Sequence, residues 1–213
     1  MMIRMVTQYI SPLIFSTALL LEGCLGGPAP QDHFYRLELP TPQSSFTSPL
    51  LQGTLQITRP WADALTRERQ LLYRTTTRTA QVQRHTYHHW IDSPTLIVQQ
   101  QIAQYLRHSG MATQVVTPDL RVNADYRLSC HMTKLERIVD DPPRVIMEME
   151  LGLSHIRERE VVLLRTYHVE EPAHGYNITA TIEAYNHALT NILDQFLADT
   201  SSIPMARRVT HQP

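Results

Sequence analysis

The sequence is poor in lysine and glycine and nearly balanced in charge. It contains one lysine, Lys134, and seven glycines among 213 residues. No glycine-rich loop precedes that lysine, so the chain lacks a phosphate-binding loop of the Walker type, and any nucleotide-driven energy has to come from another subunit. The formal net charge is -1. A charge this close to zero gives no indication of a nucleic-acid partner.

The sequence also lacks an apolar run long enough to cross a membrane. The apolar stretch from Ile10 to Leu21 is shorter than the roughly 20 residues that a membrane helix needs. It follows one positive charge, Arg4, and ends in Leu21-Glu22-Gly23-Cys24. A charged start, a short apolar run and a small residue before a cleavage point are typical of a signal peptide.

The last four of these residues resemble the lipobox of bacterial lipoproteins, with Glu22 as an unusual occupant. The resemblance implies that residues 1–23 are removed and that Cys24 carries a lipid. Because Leu25 rather than Asp follows, it also implies delivery to the periplasmic face of the outer membrane. Residues 24–32 are small residues and prolines, which predict a flexible tether. An ordinary secretory signal, or a start codon upstream of the true one, is the alternative interpretation.

The second cysteine, Cys130, then has no partner for an internal disulfide. Alternation places it on the same strand face as Tyr126, Leu128 and Met132. We therefore expect a buried and unreactive thiol.

Periodicity predicts one α+β domain over residues 33–200, followed by a disordered tail over 201–213. The fold class is a mixed, largely antiparallel sheet with two helices packed on it. The patterns first predict a strand from His33 to Leu39, a strand over 55–58 and a polar hairpin over 71–87, which lies at a sheet edge or on a solvated surface. A helix from Ser93-Pro94 to Gly110 and a strand over 114–117 follow. The chain then forms a three-stranded meander over 125–169 and a final helix capped by Asn177.

The residues that could carry chemistry have simpler structural explanations. His85, His88 and His89 form the only histidine cluster, but alternation separates His88 from the other two, and no nearby cysteine or carboxylate completes a tetrahedral set. We expect no metal and no cofactor. The pair Glu148 and Glu150 is typical of the solvated side of a strand. Asp140-Asp141 precedes two prolines and indicates a turn. Since no nucleophile elbow is present either, we expect no enzyme activity.

Trp90 and Tyr87 are the candidate partner-binding residues. Trp90 stands at the end of the polar hairpin, just before a helix N-terminus, and Tyr87 precedes it by three residues. Exposed aromatic side chains at the ends of elements can mark an interface. The alternative is that Trp90 packs as a lid on the start of the helix.

Several segments resemble the ABC-type transport auxiliary lipoprotein (PqiC-like) family, over roughly Phe34 to Ala198. The similar segments are Tyr35-Arg36-Leu37, the stretch from Leu65 to Arg74 with a spacing that differs by one residue, Tyr87-His88-His89-Trp90 before the first helix, Ala124-Asp125-Tyr126-Arg127-Leu128 and the terminal amphipathic helix. The family has no catalytic motif, so no active residue is carried over. The histidine-rich link from Tyr87 to Trp90 departs from the family pattern.

The resemblance implies an outer-membrane lipoprotein that docks partners in intermembrane lipid transport and maintains envelope integrity. Its partners would be an inner-membrane-anchored protein with mammalian-cell-entry domains and the associated permease, and it could form a ring of identical copies. The alternative function is a periplasmic carrier that binds a lipid or other apolar ligand between helix and sheet, beside Met147, Met149 and Leu151. A hydrolase without a recognisable motif is a third hypothesis.

Overall fold

The computed structural model describes residues 29–204, so Cys24, the predicted signal peptide and residues 205–213 lie outside the described residues. The predicted order of four short strands, a helix, a short strand, a three-stranded meander and a helix is confirmed. The strands are β1 His33–Tyr35, β2 Leu51–Ile57, β3 Gln70–Arg74, β4 Gln83–Trp90, β5 Ala112–Val116, β6 Tyr126–Ile138, β7 Arg144–His155 and β8 Glu160–Pro172; the helices are α1 Pro94–Ser109 and α2 Ile178–Ser202.

The meander of β6, β7 and β8 is the antiparallel part of the sheet. Alternation in β7 sends Val145, Met147 and Met149 into the core, where each is fully buried. The opposite face of β7 carries Glu148 and Glu150, which are partly exposed. One face of the meander is therefore packed against α2 and the other is open to solvent.

The remaining strands make the sheet mixed, so the prediction of a largely antiparallel sheet is wrong. β2 and β3 both lie parallel to β6, at its N-terminal and C-terminal halves, β5 lies parallel to β2, and β1 lies parallel to β4. Apart from the meander, only the β3–β4 hairpin is antiparallel among the pairings of these named strands. Alternation predicts which face of a strand is buried but contains no information about the direction of its partner.

The sequence predicts the β3–β4 hairpin at a sheet edge or on a solvated surface, and the exposed residues of β4 agree with a solvated surface. β3 pairs with β6, whereas β4 pairs with the short strand β1 only over residues 88–90, so residues 83–87 lie beside β3 alone among the named strands. β4 is irregular: Gln70 lies opposite His89, while Leu72, two residues on, lies opposite Arg84. The extra residues of β4 form a bulge.

Local signals explain where the helices begin and end. Pro94 opens α1, and Gly110 ends it with φ of 68°. A Cβ atom at Gly110 would lie 2.8 Å from the carbonyl oxygen of Phe46. Both the positive φ and this close approach therefore favour glycine at the position. At α2, the Asn177 side chain accepts a 2.8 Å hydrogen bond from the Ala180 amide, as the capping prediction requires.

The described residues from His33 onward form one compact unit. Helix α2 continues to Ser202, two residues into the segment that the sequence predicts as tail. The hydroxyls of Ser201 and Ser202 donate to the carbonyls of Ala198 and Asp199. These local bonds satisfy carbonyls in the last turn and let the helix extend past the apolar pattern.

Candidate functional site

The two candidate partner-binding residues, Trp90 and Tyr87, differ in their exposure to solvent. Trp90 is 2% exposed, and its ring centroid lies 5.6 Å from that of Tyr185 on α2. Of the two interpretations of Trp90, the structure supports the packed side chain, because the indole lies in the core. Tyr87 is 43% exposed, as expected. Whether either residue contacts a partner stays a prediction.

Both the register of β4 and its backbone contacts turn Trp90 inward. Trp90 lies opposite Tyr35 in the parallel pairing with β1. Its amide donates a 2.6 Å hydrogen bond to the Arg69 carbonyl, and Arg69 Nε donates to the Trp90 carbonyl at 3.1 Å. The strand end is thus fixed from both sides before the chain enters α1.

A cluster of imidazole and phenol rings covers the sheet between β1, β4 and β3. His33 stacks on His88 with centroids 5.3 Å apart, and a 2.9 Å hydrogen bond joins the Tyr35 hydroxyl to His88 Nδ1. His85 lies 5.4 Å from His88 and 4.5 Å from Tyr73, again between centroids. Because the bulge in β4 brings His85 and His88 together, the prediction that His88 lies opposite to His85 is wrong.

Burial disfavours the charged forms of two imidazoles in this cluster, His85 and His88. Burial, and then the charges of Arg137 and His88, lower the pKa of His85 to about 4. Burial, and then neighbouring charges, also lower the pKa of His88. His85 Nε2 and Arg137 Nε are buried without a hydrogen-bond partner among the described residues. Within residues 29–204, no three histidine, cysteine or acidic side chains are arranged to hold a metal ion.

Arg137 is a buried residue that sequence reasoning missed. It is 7% exposed, and one of its terminal nitrogens donates to the Tyr176 carbonyl just before α2. The alternation that follows Leu135 places Arg137 on the buried face of β6. A charged residue at a core position was the signal available in the sequence.

On the open face of the sheet, Glu148 is the centre of an ion-pair network. Its carboxylate accepts hydrogen bonds from Lys134 at 2.9 Å and from Thr133 at 2.7 Å, and lies 2.8 Å from His168 Nδ1. Partial burial raises the pKa of Glu148, but these bonds outweigh it and lower the pKa to about 2. A carboxylate this acidic stays ionised near neutral pH and is a poor proton donor or acceptor.

Cys130 and the apolar face of β7 are packed as core. Cys130 is a free and buried cysteine, and burial raises the pKa of its thiol to about 12. The thiol is therefore unreactive, as predicted. Met147, Met149 and Leu151 are fully buried, so side chains fill the space that a carrier would need beside them.

A segment that the sequence places in the first strand instead crosses both helices. β1 ends at Tyr35, and residues 36–39, which we call the strap, continue over the helical layer. The Glu38 amide donates to Asn186 Oδ1 on α2, and the Leu39 amide donates to Gln101 Oε1 on α1, both at 3.0 Å. Leu37 is 2% exposed. Because side chains from two helices replace a strand partner, alternation alone could not reveal the strap.

Two clefts flank the strap. One, of about 530 Å³, lies against α1 and includes Ile97 and Gln100. The other, of about 370 Å³, lies against α2 and includes Ile182 and Glu183. Charged and amide side chains line both clefts alongside apolar ones.

Trp61 is a large aromatic residue that is exposed on the open sheet face. It is 61% exposed, and its ring meets His131 edge-on with centroids 4.3 Å apart. Its amide donates to the Cys130 carbonyl, and the Met132 amide donates to the Trp61 carbonyl. The backbone of Trp61 is thus held against β6 while the indole remains accessible.

Comparisons with known proteins agree with this fold. The family model for ABC-type transport auxiliary lipoprotein components matches residues 35–196. A crystal structure of a protein from Xanthomonas campestris is similar with a TM-score of 0.69 and 19% identity, covering 79% of this chain and 94% of that chain. A second crystal structure, of an uncharacterised protein, gives a TM-score of 0.63 and 12% identity over 80% of this chain and 99% of that chain.

At these identities the two structures show the fold alone. No protein with curated information matches the chain. Neither α1 nor α2 has a stretch that is long and apolar enough to cross a membrane.

Proposed function

The chain belongs to the family of ABC-type transport auxiliary lipoprotein components, and from that membership we propose that it is a docking subunit of an intermembrane lipid transport system. A lipid on Cys24 anchors it to the periplasmic face of the outer membrane. It binds an inner-membrane-anchored protein with mammalian-cell-entry domains, together with its permease, and so helps to maintain envelope integrity. The match of the family model to residues 35–196 carries the proposal.

The arrangement of the domain supports a role in binding rather than catalysis. This is a family of transport auxiliary components and not a known enzyme family. Burial lowers the pKa of His85 and of His88, and the Glu148 carboxylate is held in ion pairs. The accessible aromatic side chains Tyr87 and Trp61 are suitable for contacts with another protein.

Self-association is part of the proposal. β8 pairs only with β7, so the other edge of this 13-residue strand is free of the named strands of the domain. A free edge can pair with a strand of a second copy. The carrier alternative is less well supported, because core side chains occupy the space beside Met149.

The test is co-purification of the lipidated chain from membranes solubilised in mild detergent. We expect the intact chain to recover a membrane-spanning partner with mammalian-cell-entry domains and to band with outer-membrane markers in a density gradient. The matched control is Cys24→Ser, which keeps the domain but removes the lipid, and it should no longer band with outer-membrane markers. Recovery of no membrane-spanning partner by the intact chain would contradict the docking role.

A further inference from the structure

Arg137 is a buried positive charge without a counter-charge. It is 7% exposed, and none of the ion pairs among residues 29–204 includes it. One of its terminal nitrogens donates to the Tyr176 carbonyl, but Nε has no hydrogen-bond partner in the described part of the chain. The carboxylate of its neighbour Glu136 is held by Arg74. Because the protein interior solvates a lone charge poorly, a buried guanidinium normally has a negative partner.

A second buried nitrogen lies near the first. His85 Nε2 on β4 is also without a hydrogen-bond partner among the described residues. β3 lies between β4 and β6 in the sheet, and its residue Tyr73 contacts both sides. Tyr73 is opposite Arg137 in the pairing of β3 with β6, and its ring centroid is 4.5 Å from that of His85. Three neighbouring strands thus bring one guanidinium and one imidazole together.

The groups around these two nitrogens are neutral or positive. Burial, and then neighbouring positive charges that include Arg137, lower the pKa of His85 and of His88. Burial also lowers the pKa of Arg137 itself. Tyr185 on α2 is close enough to feel the charge of Arg137, but burial raises its pKa, so this phenol stays neutral. The described residues therefore supply donors and positive charge here, and an anion would balance them.

The start of α2 adds to the same positive potential. Tyr176, whose carbonyl accepts from Arg137, stands two residues before Ile178, where this 25-residue helix begins. The N-terminus of a helix is the positive end of its dipole and favours anions. A water molecule could accept hydrogen bonds from both nitrogens, but it would leave the charge of Arg137 unbalanced. The combination of Arg137 with the helix start therefore favours an anion over water.

We propose that Arg137 and His85 bind one small monovalent anion, such as chloride, between the sheet and the start of α2. Arg137 Nε donates one hydrogen bond to the anion, and His85 Nε2 donates the other, which requires the imidazole proton to be on Nε2. The anion is small because the surroundings are packed: Tyr185, beside Arg137, is 1% exposed. Binding neutralises the buried guanidinium and ties β4 and β6 to α2. The site depends neither on the lipid anchor nor on the docking role.

The first test is thermal melting of the full lipidated chain in detergent, in sodium chloride and in sodium methanesulfonate of equal ionic strength. We expect about 0.3 M chloride to raise the melting temperature by about 3–6 °C over methanesulfonate, whose anion is too large for the site. Arg137→Met replaces the charge with an apolar side chain and should melt at the same temperature in both salts. Arg127→Met, on the exposed face of the same strand, is the matched variant and should keep the response of the intact chain.

Equal melting of the intact chain in the two salts, or a chloride response that survives Arg137→Met, overturns the anion site. A crystal of the intact chain grown in sodium bromide decides the question if Arg137→Met does not fold. Bromide scatters X-rays anomalously, so we expect an anomalous peak within about 3.5 Å of both Arg137 Nε and His85 Nε2. Density at this position without an anomalous signal identifies a water molecule and overturns the proposal. Bromide found only on the surface of the molecule overturns it as well.

Discussion

Trp90 and Tyr87 lie three residues apart on β4 but have opposite environments. The Trp90 indole packs on Tyr185, whereas Tyr87 is largely accessible. Removing a packed aromatic side chain leaves a cavity, so we expect Trp90→Ala to lower the free energy of unfolding by about 3–5 kcal/mol. Tyr87→Ala should change it by less than about 1 kcal/mol. Urea denaturation followed by circular dichroism measures both changes.

The same two variants separate stability from partner binding. If Tyr87 contacts the partner, Tyr87→Ala reduces co-purification while the domain stays folded. A similar loss of stability in both variants would mean that the two side chains share one environment, contrary to the structure.

Glu148 makes the stability of the domain depend on pH. Its pKa is about 2 in the folded protein, against an ordinary value of 4.5. Because the folded pKa is the lower one, the stabilisation is complete above about pH 4.5 and is lost as the pH falls through about 2. The ion pairs with Lys134 and His168 are partly open to solvent, so we expect a contribution of roughly 1 kcal/mol.

The variant Glu148→Gln should therefore be less stable than the intact chain near neutral pH. The difference in free energy of unfolding should shrink as the pH is lowered from about 4.5 to about 2. Glu150→Gln, on the same strand face, is the control for the removal of a carboxylate from this face. A difference that stays constant over this range would show that the Glu148 hydrogen bonds do not stabilise the ionised carboxylate.

At the scale of elements, β6 determines how the sheet is assembled. One of its edges pairs with β7 along its whole length, while the other edge pairs with β2 near Tyr126 and with β3 near Arg137. Alternation predicts the buried face of β6, including Cys130, because burial repeats every two residues. It cannot predict the two parallel partners, which come from earlier parts of the chain and are selected by packing of the complete sheet.

The irregular strand β4 shows a second limit of sequence patterns. Strict alternation separates His85 from His88, but the bulge places their rings 5.4 Å apart. An odd number of extra residues in one strand, here three, reverses the face of the side chains beyond them. The imidazole cluster therefore could not be predicted from β4 alone, although the signals of helix capping at Asn177 and Gly110 could.

At the scale of the whole molecule, the segment that follows β1 is built into the helical layer. The strap follows β1 directly and hydrogen-bonds to one helix on each side, at Asn186 and Gln101. A pull on the residues before β1 is thus resisted by β1 and by the strap together. If the proposed lipid anchor on Cys24 transmits such a pull, the force is passed to the core and not to a single loop.

Truncation can separate the tether from the strap. Deleting residues 24–32 should shift the melting temperature by no more than about 2 °C, because these small residues and prolines have little to bury. Deleting residues 24–39 also removes Leu37, whose burial is worth about 2–5 kcal/mol, so we expect a fall of about 5–20 °C. Leu37→Ala in the otherwise intact chain is the matched point variant and should produce a large part of the same fall. Thermal melts followed by circular dichroism measure all three, and equal melting temperatures for the two truncations would show that the strap contributes nothing to the fold.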